Sequence, residues 1–81
     1  MLKNNIMEQI YRGLISNGTL SATYAVTEAS SPSEAIQNIK DAGYRFSISE
    51  SVFQDTDLRS YIKSKVGSGD YIWVGPRPHW W

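Results

Sequence analysis

From Ile6 onward the apolar residues fall in pairs, Ile6-Met7, Ile10-Tyr11 and Leu14-Ile15, each pair returning to one side of a 3.6-residue spiral. This spacing predicts an amphipathic helix that stops near Asn17-Gly18, where glycine can take the left-handed backbone that closes a helix. Thr19 or Ser21 can then cap a second, short helix carrying Leu20, Ala22, Tyr24, Ala25 and Val26, although its β-branched threonines lower the propensity. Ser31-Pro32-Ser33-Glu34 has the form of a capping box: a serine cap, a proline at the first helical position and a glutamate three residues on. It predicts a third helix that buries Ala35, Ile36, Ile39 and Ala42, places Lys40 at the negative helix end and terminates at Gly43. Tyr44-Arg45-Phe46 alternates like a strand but has no evident pairing partner, so a turn that tucks Tyr44 and Phe46 into the core is expected. A second box, Ser47-Ile48-Ser49-Glu50, opens a short helix with Val52 and Phe53. Asp55 or Asp57 can cap a last one, with Leu58, Tyr61, Ile62 and Val66 inward, Arg59, Lys63 and Lys65 outward, and Gly67 at its end.

Together these elements predict an all-α fold, a small bundle of four or five short helices over residues 1–66 around one shared core. After Gly67 the pattern changes. Gly67-Ser68-Gly69 reads as a hinge, and Pro76 and Pro78 bracket Arg77, each proline removing a backbone donor and pushing its predecessor toward an extended conformation. Ordering this tail costs about as much entropy as burying its aromatic rings returns, so a flexible or irregular C-terminal tail, ordered only by a partner or a cross-link, is the expectation.

The 81 residues suffice for one domain at most, and a chain this short buries only a modest core. Eight basic and eight acidic residues cancel, which argues against nucleic acid or an acidic lipid surface as a partner. With no cysteine, disulfides and thiolate-metal sites are excluded. No apolar run approaches the roughly 20 residues of a membrane span, and no secretory signal is evident, so no membrane insertion and a cytoplasmic location are expected.

Catalytic constellations are few, and no enzyme activity is expected. His79 is the only histidine, which leaves a metal site or a triad without further members, and it reads as a solvated residue. Asp55 and Asp57 read as helix caps rather than an acid/base pair. Gly67-Ser68-Gly69 follows a helix and has no lysine after it, so it is no phosphate loop. Arg12, Arg45 and Arg59 read as solvated faces. No cofactor is implied.

The aromatic end, Tyr71, Trp73, Trp80 and Trp81, admits a binding tail, since tryptophan is a favoured interface anchor, or a structural strand or flap lying on the helices. A third reading comes from resemblance. Residues 30–47, and above all Lys40-Asp41-Ala42-Gly43-Tyr44-Arg45-Phe46-Ser47-Ile48-Ser49-Glu50, resemble the Nif-eleven-like leader domain of ribosomally made, post-translationally modified peptide precursors; the likeness extends over about residues 5 to 53.

The resemblance implies a leader over 1–66 that recruits peptide-modifying enzymes, with Ile36, Ile39, Tyr44, Phe46, Val52 and Phe53 as recognition residues. It further implies a cleavage region at Gly67, Ser68 and Gly69 for a leader protease or exporter, and a core peptide over 70–81 that is altered, released and exported. Cysteine is absent, and serine and threonine are absent after Ser68, so thioether and azoline rings cannot form within that core. The candidate modified residues are Tyr71, Trp73, Arg77, His79, Trp80 and Trp81, with an aromatic cross-link preferred because indole and phenol are the most reactive rings present. Outside the resemblance, the alternative is a small helical interaction protein that binds a partner through its tryptophan-rich tail.

Overall fold

The computed structural model describes residues 8–16 and 22–81. They form β1 (Gln9–Ser16), β2 (Ala22–Ala29), α1 (Pro32–Asp41), β3 (Arg45–Phe46), β4 (Phe53–Gln54), α2 (Arg59–Gly67) and β5 (Tyr71–Val74). The fold is mixed α/β, a five-stranded sheet with two helices, and the all-α expectation is overturned.

The correction begins in β1. Its apolar doublets arise because both faces of the strand are covered. Tyr11 and Ile15 pack toward α1, in clusters with Ala35 and with Ile39, while Ile10 packs against Ile62 of α2. A doubly buried strand interrupted by Arg12-Gly13 produces the same four-residue recurrence as a helical stripe, and its length of eight residues fits either element. The predicted second helix is likewise a strand: β2 pairs antiparallel with β1 from Gln9↔Ala29 to Ser16↔Ala22. Its threonines, tyrosine and valine favour a pleated surface, and this preference, joined to eight cross-strand pairs, decides the outcome. The helix start at Ile6-Met7, the stop at Asn17-Gly18, Leu20 and the Thr19 or Ser21 cap lie outside the described residues.

β1 is antiparallel to β2, β3 and β4, and β5 is parallel to β2, in the order β3-β1-β2-β5 with β4 also on β1. Each helix therefore joins two strands that run the same way, α1 linking β2 to β3 across one face and α2 linking β4 to β5 across the other. The first face buries Ile15, Ala25, Ala29, Val74, Ala35 and Ile39, with Tyr44, Phe46, Val52 and Ile72 packed around them. The second buries Ile10, Val26 and Ile62, with Val66, Tyr71, Trp73 and Trp80 around them.

α1 forms where its capping residues place it. The Ser31 hydroxyl accepts from the Glu34 N–H at 3.2 Å, Pro32 opens the helix, and Gly43 follows it at φ +95°. The returning bond of the box is displaced by one residue, the Glu34 carboxylate accepting from the Ser30 N–H at 2.7 Å. Tyr44 and Phe46 do reach the core, but Arg45-Phe46 is a strand whose partner, Ile15-Ser16, the helical reading of β1 had concealed. Gly13 makes room for this: a Cβ there would stand 2.8 Å from the Phe46 ring.

The second box opens no helix. Residues 47–52 are bends and coil, and Phe53 enters β4 opposite Arg12. α2 starts at Arg59 with Leu58 as its uncapped boundary residue; Asp55 instead accepts the Asp57 N–H at 2.9 Å. Leu58, expected inward, is 75% exposed and Tyr61 44%, leaving Ile62 as the buried residue of the helix. The helix ends at Gly67 as expected, and the left-handed residue beyond its Ser68 cap is Gly69, φ +89°. The expected flexible tail is corrected as well: Tyr71–Val74 is a sheet strand in register with Tyr24–Thr27.

Candidate functional site

The C-terminal segment turns at Gly75, φ +107°, and places three indoles together. Trp73 meets Trp80 edge-on at 5.8 Å between centroids and Trp81 edge-on at 5.2 Å, while Trp80 and Trp81 stack at 6.0 Å. Offset and edge-on arrangements of this kind are the favoured ones for aromatic rings. The cluster is tied down at three points. The Trp73 indole N–H donates to the Pro76 carbonyl at 2.9 Å, the Trp80 indole N–H donates to the Glu28 carboxylate at 3.1 Å, and the Arg59 guanidinium lies 5.2 Å from the Trp80 ring centre. Trp73 and Trp80 pack against the buried Ile10, Val26 and Ile62, whereas Trp81 rests on the other two rings. Pro78 is buried beneath the segment, and Arg77 and His79 are exposed.

Beside the cluster opens a cleft of about 540 Å³, near the C-terminal ends of the parallel strands β2 and β5. Thr27, Glu28, Asn38 and Asp41 line one wall, and Trp73, Pro76, Arg77 and His79 contribute the other. Such a cleft, apolar in part and holding a few polar groups, is of the size that accommodates a ligand or several side chains of a partner. The Thr27 hydroxyl is committed to the Val74 carbonyl at 2.9 Å, the Asn38 amide to Thr27 and the Glu28 carbonyl, and the Trp73 indole N–H to Pro76, so what the cleft offers a visitor is the remaining acceptor capacity of the Glu28 and Asp41 carboxylates and the indole faces.

Under the same face lies a polar knot. Arg12, in the middle of β1, donates to the Tyr71 hydroxyl and sits 4.9 Å from the Tyr24 ring centre and 5.6 Å from that of Tyr71. Its guanidinium is 3.6 Å from Asp55 and 3.9 Å from Asp57. Burial disfavours its charge, but Asp55, then Tyr71 and Asp57, more than offset that and hold its pKa above the ordinary value. Asp55 is buried, and its Oδ2 receives no hydrogen bond among the described residues, the 3.6 Å to Arg12 being too long for one. The knot joins β5 to β1 and to the loop that leads into α2. It is built to hold the aromatic strand in place, and among the described residues no three His, Cys, Asp or Glu side chains converge as metal ligands would.

The residues singled out by sequence are distributed unevenly. Of the six recognition residues, Ile39 is buried, Tyr44, Phe46 and Val52 pack the first face, Ile36 is partly buried, and Phe53 alone is well exposed, at 67%. They do not form one continuous outer surface. Gly67, Ser68 and Gly69 are exposed, the first as the last residue of α2 and the other two in the turn that leads to β5. Tyr71, Trp73, Trp80 and Trp81 gather on the second face, with Arg77 and His79 at the cleft. The sequence reading missed Arg12, Tyr24, Glu28, Asp55 and Asp57 as supports of this cluster. A charged residue in the centre of an apolar segment was the available signal for Arg12, since such a position demands partners.

Compared with protein-family models, with curated proteins and with solved structures, the chain matches none. No helix of the described residues is long and apolar enough to cross a membrane.

Proposed function

We propose that the chain is a non-catalytic binding module that holds a protein segment against its C-terminal indole cluster and the adjoining cleft. The observation that carries this reading is Trp81: it is held edge-on and stacked by two other indoles yet stands outside the buried cluster that those two complete. An indole fixed in this way loses little side-chain freedom on contact, which suits an interface anchor. The carboxylates of Glu28 and Asp41 at the cleft favour a partner that brings a basic side chain beside an apolar one.

A photo-reactive residue placed at position 81 in the full chain tests this in its native host. The expected result is cross-linking to one reproducible protein, absent when the same residue is placed at exposed Ser60, with the chain recovered uncut and at its plain mass. Equal labelling from both positions would refute it.

The peptide-precursor reading is retained as the second, because Gly67, Ser68 and Gly69 are exposed and open to a protease. In that reading β5 must leave the sheet for 70–81 to be released. Recovery of a mass-altered fragment covering 70–81 from the host would support it and displace the first.

A further inference from the structure

The two carboxylates that face each other across the cleft from the donors of its wall are both fixed and both half used. Glu28 is held through Oε2 by the Trp80 indole N–H at 3.1 Å, and Asp41 through Oδ1 by the Gln37 amide at 2.7 Å. Each keeps a second oxygen that takes no hydrogen bond among the described residues. Neither lies within 4.0 Å of a lysine or arginine among them, Arg77 at the same cleft included. Asp41 is also the residue α1 itself has least use for. It stands in the last turn, where a helix carries partial negative charge and cations stabilise it. Lys40, next to it, is paired with Glu50 at 3.0 Å. A positive group entering the cleft therefore meets two oriented oxygens and the negative end of a helix together.

Resting on the binding-module reading, we infer that the cleft receives an arginine side chain of the partner segment, its guanidinium shared between Glu28 and Asp41 and lying against Trp73. A guanidinium is planar and weakly hydrated and carries five donors, so it serves two acceptors at once and rests on an indole. An ammonium is a compact, strongly hydrated point charge and gains less from the same wall. An anion finds the donors of Thr27, Asn38 and Trp73 already spent within the fold. Because Trp80 and Gln37 hold the two carboxylates in place beforehand, little side-chain order has to be created on binding.

Titration of the full chain with the peptide acetyl-Leu-Arg-Leu-amide, followed by amide and indole NMR shifts, tests it. The expected result is a saturable shift of the Trp73 indole N–H and of Asp41, with a Kd of about 0.1 to 1 mM. The citrulline peptide, which keeps the shape and loses the charge, should bind about tenfold more weakly, and the lysine peptide about threefold. Glu28→Gln and Asp41→Asn should each weaken the arginine peptide about fivefold with circular dichroism unchanged, and Arg77→Ala, which removes a like charge, should tighten it. Equal binding of the three peptides, shifts confined to other faces, or no saturation up to about 10 mM overturns the inference. The photo-cross-link from position 81 keeps the two readings apart. A host protein still captured in full by the Glu28→Gln, Asp41→Asn double variant leaves the binding module standing and removes the arginine. A peptide bound through both carboxylates in a chain that captures no protein removes the module and, with it, the partner's arginine.

Discussion

The sheet is closed on its two faces by different chemistry. On the α1 side small and aliphatic residues meet: Ala25, Ala29 and Ala35 let the helix approach closely, and Ile15, Ile39 and Val74 fill the space. On the α2 side the closure is made largely of rings and ions, Tyr24, Tyr71, Trp73 and Trp80 around Arg12, Asp55 and Glu28. The helices differ in the same sense. α1 has a side-chain cap, an initiating proline and two fully buried residues, whereas α2 has no side-chain cap and buries Ile62 alone. A helix so weakly specified by its own sequence depends on tertiary partners, and beyond Ile10 and Val26 those partners, Tyr71, Trp73 and Trp80, come from the last eleven residues. The segment best suited by composition to be displayed is therefore also the one that closes half the core.

The largest expected effect follows from removing it. Deleting residues 70–81 takes away β5, opens the cover over Val26 and Ile62, and deprives Arg12 of Tyr71. A domain of this length has only about 4 to 12 kcal/mol of stability, and the loss of an edge strand and three packed indoles is expected to consume it. Residues 1–69 should then show no cooperative melt by circular dichroism and a collapsed amide spectrum by NMR. A truncated chain that melts cooperatively, with dispersed amides, would make the first face self-sufficient and return the C-terminal segment to the status of an attachment.

A change confined to the first face sharpens the comparison. A methyl at Gly13 would lie 2.8 Å from the Phe46 ring and 3.1 Å from Val52, and the first of these is a collision that packed side chains must yield to. Gly13→Ala is expected to cost about 1 to 3 kcal/mol in urea unfolding. Phe46→Leu shortens the obstructing side chain, so the double variant should be less destabilised than the sum of the two singles. Strict additivity would mean that the ring and the glycine do not constrain one another, and that the close approach on this face is not what sets its packing.

What could be read from the sequence divides along the same line. α1 was legible because its signals are local: Ser31, Pro32, Glu34 and Gly43 fix its ends within a dozen residues, whatever the rest of the chain does. β1 was not, because Ile10-Tyr11 and Leu14-Ile15 mean one thing on a lone helix and another in a strand covered on both sides. The difference lies in Ile39 and Ile62, about 25 to 50 positions away along the chain. β3 and β4 inherited that error, since a two-residue strand exists only by virtue of its partner. The aromatic residues of the site were visible as a concentration at one end, but their supports at Arg12, Glu28 and Asp55 are brought together by the pairing of β1 with β2 and β4, and brought to the aromatic strand by the parallel pairing of β2 with β5. Asp55 and Asp57 carried a capping signature, yet α2 begins too late for either to serve it.

The smallest expected effect concerns the cap of α1 and shows how separate the faces are. Ser31→Ala should cost about 1 kcal/mol, the usual value of a lost serine cap. Glu34 adds a dependence on pH. Its carboxylate accepts from the Ser30 backbone N–H and the Ser30 hydroxyl, and these bonds hold its pKa below the ordinary carboxyl value. A group whose pKa is depressed by folding contributes fully above its unfolded value, and the contribution fades as pH falls through the folded one. Stability should accordingly decline below about pH 4.3, and Glu34→Gln should flatten that part of the decline. Because the cap lies at the start of α1, tryptophan emission at neutral pH, which reports the second face, should be the same in Ser31→Ala as in the parent chain. An NMR titration that places the Glu34 carboxyl at or above the value of an unstructured glutamate would remove the effect. Indole emission altered by Ser31→Ala would show that the α1 cap and the aromatic face respond as one unit, not two.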